Sequence, residues 1–294
     1  MGGRGAGDTR KTLIAAGALL VAATHAGSTE AASLVPPASG PCSLQNTARA
    51  AVAKIEANLD IALADGRTLT LAGLDPPRDT PDHPRLAAEA RDTLAAWLEG
   101  REVAVRALAD KPNRWARIAA RLFAAPPIAS SSASAGAEIG VAEAILDAGL
   151  ARYRPDVAAH PCRDLLLAAE AQARTEKVGL WGDPYYAVLA GSDRAAFASP
   201  PSSRMSGMVL VEGAPASVGE TASRFYLNFG PGRGVDFAIT LPKRSATGGA
   251  NSLEKAGIKP RDLVGRRLRA RGLLDVTFGP QMEISDPDGL ELLD

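Results

Sequence analysis

Apolar residues change their period along this chain, and each change marks an element. Across residues 50–74 apolar and polar positions alternate around Asp65-Gly66, a pair that favours a tight hairpin because glycine accepts the positive φ of the turn. Thr68, Leu69, Thr70 and Leu71 form the return strand. From Leu86 the spacing lengthens to three or four: Leu86, Ala90, Leu94, Trp97 and Leu98 share a face that Glu89, Asp92 and Glu99 avoid. This predicts an amphipathic helix, stopped by Gly100, with Trp97 in its core stripe. Val103 and Val105 then alternate with Glu102, Ala104 and Arg106 as in a half-buried strand, and a second strand is expected over 116–123. Ala125-Pro126-Pro127 and Ser130-Ser131-Ser132 predict a loop. Helices are expected over 139–147, ending at Gly149, and over 164–177, with Glu170 and Arg174 at i,i+4 and Gly179 as a left-handed stop.

Residues 191–206 turn to Ser, Pro, Ala and Gly, including Pro200-Pro201, which reads as a linker. Beyond it, short alternating runs at 208–211, 224–229, 235–241, 267–274 and 281–284 predict five strands, the count of a small Greek-key barrel similar to an OB-fold. The expected division is a leader at 1–32, an N-terminal lead at 33–47, an α+β domain at 48–187, a linker at 188–205 and a second, all-β OB-like barrel at 206–294.

Composition changes this picture in three ways. The 294 residues suffice for two modest domains. Lys and Arg number 33 against 33 Asp and Glu, and aromatics are only 4%, so no global field draws the chain to nucleic acid and any such affinity needs a local patch. At the N-terminus Arg4, Arg10 and Lys11 precede an apolar run over 13–26 and then small residues, the layout of a secretory signal peptide. The run is short for a membrane span, so export to the periplasm or beyond is expected, with a retained anchor as the alternative. No stable membrane span is expected after leader removal. In an oxidising compartment Cys42 and Cys162 would form a disulfide, two free buried thiols being the alternative. With His83 and His160 they show no metal-ligand spacing.

Three stretches carry chemistry: Leu71-Ala72-Gly73-Leu74-Asp75-Pro76-Pro77, Asn113-Arg114-Trp115-Ala116-Arg117, and Glu170-Ala171-Gln172-Ala173-Arg174 followed by Gly179-Leu180-Trp181. In this order, over roughly 50–181, they resemble a staphylococcal-nuclease-type (thermonuclease) domain. The resemblance implies a five-stranded OB-type barrel with packed helices, and calcium-assisted hydrolysis of DNA and RNA by two arginines and a glutamate. Guanidinium forks and a metal stabilise the charge that builds on phosphoryl oxygens, while a carboxylate activates water. Laid onto that pattern, this chain has Thr70 for the first arginine, Asp75 for one metal aspartate, Leu59 for the other, Arg78 for the glutamate and Arg117 for the second arginine.

Losing a general base costs typically ~10²–10⁴ in rate, and losing a charge-stabilising donor another ~10²–10³. The expected reading is a catalytically degenerate domain with no cofactor, calcium entering only if the site is active. Asp60 and Asp79 stand one residue from the missing carboxylates, and Arg67 and Arg78 offer guanidiniums, so a rebuilt calcium-dependent nuclease is the enzymatic alternative. Asp75 also reads as a turn residue, and Arg117 as a surface charge.

In the C-terminal part Arg267, Arg269 and Arg271 alternate with Leu268 and Ala270, and Arg266 extends the run. Tyr226 and Asn228 alternate with Phe225, Leu227 and Phe229. A guanidinium row beside an exposed ring would make a platform for single-stranded nucleic acid, and a solvated charged strand is the plainer reading. The expected function is weak nucleic-acid binding or a protein partnership, with a structural envelope role as a third class.

Overall fold

The computed structural model describes residues 34–127, 137–198, 207–244 and 252–293. The expected leader, the serine triplet and Pro200-Pro201 lie outside them. The first sheet is built from β1 (Ala48–Ile55), β2 (Ile61–Leu63), β3 (Thr68–Leu71), β5 (Glu102–Ala107) and β6 (Arg117–Ala124), with β4 (Leu74–Asp75) just beyond β3. At the turn between β2 and β3, Gly66 has φ of 88° and the Arg67 amide donates to Asp65 Oδ1 at 3.0 Å. β1 pairs antiparallel with β2 and β5, β2 with β3, and β5 with β6. Parallel pairing of β3 with β6, from Thr68 opposite Arg117 to Leu71 opposite Ala120, closes a five-stranded mixed barrel. Its closure brings Thr70 and Arg117, distant in sequence, to neighbouring strands.

Helix α1 (Leu86–Leu98) buries Leu86, Ala90, Leu94, Trp97 and Leu98, the stripe that the spacing predicts. Trp97 satisfies its indole N–H on the Ala125 carbonyl at 2.8 Å, a structural role. The helix expected from Ile139 starts later, because Ile139 and Gly140 first form β7 (Ile139–Gly140) against Phe123 and Ala124. Helix α2 (Val141–Asp147) follows, then β8 (Arg152–Tyr153), which pairs with β4, and α3 (Arg163–Glu176). Lys177, rather than Gly179, takes the left-handed cap of α3, at φ of 54°. Gly179 is left-handed as well, and it packs on the backbone of Gly149 so closely that a Cβ on either would overlap the other segment's carbonyl. Cys42 and Cys162 form a disulfide that ties the N-terminal lead to the start of α3.

The second region is all sheet apart from short helices. It holds β9 (Leu189–Ala190), a short helix α4 (Arg194–Ala198), β10 (Met208–Gly213), β11 (Ser217–Glu220), β12 (Arg224–Asn228), β13 (Ala238–Pro242), α5 (Ser252–Lys255), β14 (Leu268–Asp275), β15 (Gln281–Glu283) and β16 (Leu290–Leu292). The strand path is β11-β12-β13-β15-β14-β10-β9, with β16 on β14. Three of these strands, β9, β11 and β16, were not expected: each is too short to show an alternating pattern. Among the described residues no ladder joins β11 to β9. The described start of the expected linker is built into this sheet, with Leu189 opposite Val211 and Phe197 stacked on Phe237 at 4.9 Å.

The two sheets meet in one compact unit. An apolar cluster of Leu86, Ala173, Leu180, Trp181, Tyr186, Met208 and Leu210 spans the seam. Arg271 of β14 crosses it, donating from Nη1 to the Tyr153 carbonyl at 2.8 Å and from Nη2 to Glu170 Oε2 at 2.8 Å, and pairing with Glu291. Burial works against ionisation of Arg271, but Glu170 and Glu291 outweigh it and hold the guanidinium's pKa above its ordinary value.

Candidate functional site

A cavity of about 390 Å³ opens at the end of the barrel where β3 runs into β4. Thr70, Asp75, Arg78, Arg117, Leu59 and Asp60 all line it, joined by Arg154. The sequence motifs are therefore brought to one place. Their partners decide what that place can do.

Asp60 accepts from Arg117 Nε at 2.6 Å and from Asn58 Nδ2 at 2.7 Å. Asp75 accepts from Arg152 Nη2 at 2.6 Å across the β4–β8 pair. Each carboxylate at the pocket thus faces its own guanidinium. Leu59 has φ of 63°, and its side chain joins the barrel core. Asp79, the other carboxylate available for a rebuilt site, instead accepts from the Ala87 amide at the start of α1 at 3.0 Å. Arg67 is spent on Asp65 at 2.7 Å in the hairpin turn. Calcium asks for several oxygen ligands of its own. Among the described residues no group of three or more His, Cys, Asp or Glu is placed to hold a metal, and the two carboxylates at the pocket are each engaged by a guanidinium.

The loop that carries Arg78 is fixed from below. Tyr186 Oη accepts from the Arg78 amide at 2.7 Å and donates to the Arg78 carbonyl at 3.1 Å. Burial pushes the Tyr186 phenol above its ordinary pKa, and the Arg152 guanidinium lies over its ring at 4.8 Å. Asp183, also buried, accepts from Thr80 and from the Tyr185 amide, and lies 3.1 Å from His83 Nδ1. Burial would raise its pKa, but these hydrogen bonds outweigh it and hold the carboxyl below its usual range.

Residues 68–183 match the model of the staphylococcal nuclease homologue family. No curated protein matches the chain. The matched part of this nuclease-like barrel begins at β3, although β1 and β2 supply two of its five strands. The segment left outside contains Leu59, where the resemblance asks for a metal aspartate. Arg152, Arg154 and Tyr186, which shape the pocket of the nuclease-like barrel, were missed in the sequence. The only signal for the arginines is the Arg152-Tyr153-Arg154 alternation, which places Tyr153 between two charges, and a two-residue strand is too short to read.

The expected guanidinium platform needs correction. Arg267, Arg269 and Arg271 do share one face of the strand region, but that face turns to the seam. Arg269 is nearly buried between Glu212 at 2.6 Å and Glu291 at 2.9 Å, and Arg271 is fully buried. Only Arg267 is well exposed, 3.9 Å from Glu212. Tyr226 lies elsewhere, half-buried beside a cavity of about 300 Å³ with Asn228, Arg233 and the exposed Phe278. The ring and the arginine row thus do not form one surface.

Proposed function

We propose that the nuclease-like barrel is catalytically degenerate and serves as a weak, calcium-independent binding site for the phosphates of single-stranded nucleic acid. The observation that carries this reading is the pairing at the pocket: Asp60 with Arg117 and Asp75 with Arg152, both at 2.6 Å. A carboxylate whose oxygens are already engaged by a guanidinium has fewer lone pairs to offer a metal ion or an attacking water. Arg154 stands exposed at the same cavity and, with Arg78, gives it a cationic lining. Phosphate contacts of this kind are sequence-independent and weaken with salt. The disulfide and the leader pattern support an exported location, periplasmic or secreted.

The test uses the oxidised protein and end-labelled single-stranded DNA, with calcium and with chelator, read on a sequencing gel and by fluorescence anisotropy. The expected result is no cleavage in either condition, with binding in chelator that weakens as salt rises and falls several-fold in Arg154→Glu. Calcium-dependent cleavage lost in Arg117→Ala would overturn the reading and establish a rebuilt nuclease. Absence of binding at low salt would overturn it in favour of a protein partner.

A further inference from the structure

The pocket of the nuclease-like barrel does not end at the barrel. A second cavity, about 370 Å³, shares Asp75, Arg78 and Arg154 with it, and its far wall comes from Leu273, Ser285 and Asp286 of the second sheet. Three common lining residues set the two cavities side by side across the seam, as two ends of one groove lined by Asp75, Arg78 and Arg154. The buried pair of Arg271 with Glu170 of α3 ties the second sheet to the barrel side of the seam.

The groove is chemically polarised. Its barrel end carries Arg78, Arg117 and Arg154. At its far end Leu273 is 65% exposed, an apolar side chain left open on the strand face whose arginines are otherwise paired. Asp286 there places a carboxylate where phosphate would be repelled. Its Oδ1 accepts the Asp288 amide at 3.0 Å, and the carboxylate retains further acceptor capacity.

We propose that this groove is a binding track for single-stranded nucleic acid longer than a dinucleotide, with the second sheet supplying the subsite for bases. The proposal rests on the reading of the barrel given above. Phosphates lie on Arg78 and Arg154, while bases turn toward the far wall, resting on Leu273 and offering amino groups to Asp286 and Ser285. A single strand can splay its bases away from its backbone, and a carboxylate accepts from a cytosine amino group. A duplex presents phosphates on both sides and would meet Asp286 with like charge.

The test is anisotropy of labelled oligodeoxycytidylates of two, four and eight nucleotides, in chelator at low salt, against wild type, Leu273→Asp and Arg154→Glu. Affinity is expected to rise at least tenfold from two nucleotides to four. Leu273→Asp should abolish that rise and leave dinucleotide binding unchanged, whereas Arg154→Glu weakens every length. Leu273 is exposed, so the variant should fold, and its melting curve checks this. Equal affinity at all lengths, or a length dependence untouched by Leu273→Asp, would overturn the track. If dinucleotide binding still depended on Arg154, the barrel reading would survive that failure. Tighter binding of hexaglutamate than of the octanucleotide, with the same Leu273 dependence, would overturn the nucleic-acid assignment in favour of an acidic peptide.

Discussion

Arg271 Nη2 lies 2.8 Å from Glu170 Oε2, both side chains fully buried, although the two residues are 101 positions apart in the sequence. Glu170 also receives the Tyr153 amide at 2.7 Å, so the pair joins β8, α3 and β14 at one point. Breaking a buried pair strands the remaining charge, at a cost of about 3–5 kcal/mol. Arg271→Ala is expected to lower unfolding free energy in urea by that amount. Glu170→Gln should cost less, because the amide still accepts from Tyr153. A loss below about 1 kcal/mol for Arg271→Ala, within the range of an ordinary surface pair, would mean that the seam does not couple the two sheets.

Acid should loosen the same seam. Burial works to raise the Glu291 pKa, but Arg271 and Arg269 outweigh it, so the folded carboxyl sits below its ordinary value. The unfolded state therefore binds the proton more readily, and this contribution to stability is present above the ordinary glutamate value, roughly 4.3. It is lost as pH falls through the lower, folded value. Asp183 acts in the same direction. Urea titrations from pH 7 to pH 3 should show stability falling at the acid end, with a shallower fall in Glu291→Gln. Equal slopes in the two proteins would remove Glu291 from the account.

The contact between Gly149 and Gly179 admits no side chain. Leu180 donates its amide to the Gly149 carbonyl at 2.9 Å, and both glycines have positive φ, 63° and 56°. Gly179→Ala must strain its backbone and push the two segments apart, for roughly 1–3 kcal/mol. Thermal unfolding should report this as a lowered midpoint. An unchanged midpoint would show that the segments separate freely.

If the barrel is a disarmed nuclease, restoring its missing groups should restore chemistry. Leu59→Asp, Thr70→Arg and Arg78→Glu replace the three departures from the family pattern. Aspartate tolerates the left-handed backbone at position 59 better than leucine. The combined variant is expected to cleave single-stranded DNA in calcium at least 10²-fold faster than the wild type, taking ~10²–10³ for one recovered charge-stabilising donor. No gain, in a variant whose melting curve remains cooperative, would mean that the Arg117–Asp60 and Arg152–Asp75 pairs keep the pocket silent even with the missing groups restored.

The barrel was legible because its signals are local. Asp65-Gly66 names its turn, and the Leu86-to-Leu98 stripe names its helix, each within a short window. What the sequence could not disclose is where the polar faces point. The alternation of Arg267, Arg269 and Arg271 fixes a common face but not its environment, and that face meets Glu170, Glu212 and Glu291 from three separate elements. Likewise Asp60 and Asp75 could be placed near the pocket by motif. That Arg117 and Arg152 claim them depends on the β3–β6 and β4–β8 pairings, which are contacts of long sequence separation.

The bond between Cys42 and Cys162 bears on how the chain reaches this fold. These are its only two cysteines, 120 positions apart. A lone pair has one possible intramolecular connectivity, so no wrong loop can form and no isomerase is needed to unscramble one. The errors that remain are those between molecules. Yield in oxidative refolding should consequently be governed by dilution, with covalent dimers rather than scrambled monomers as the product of failure.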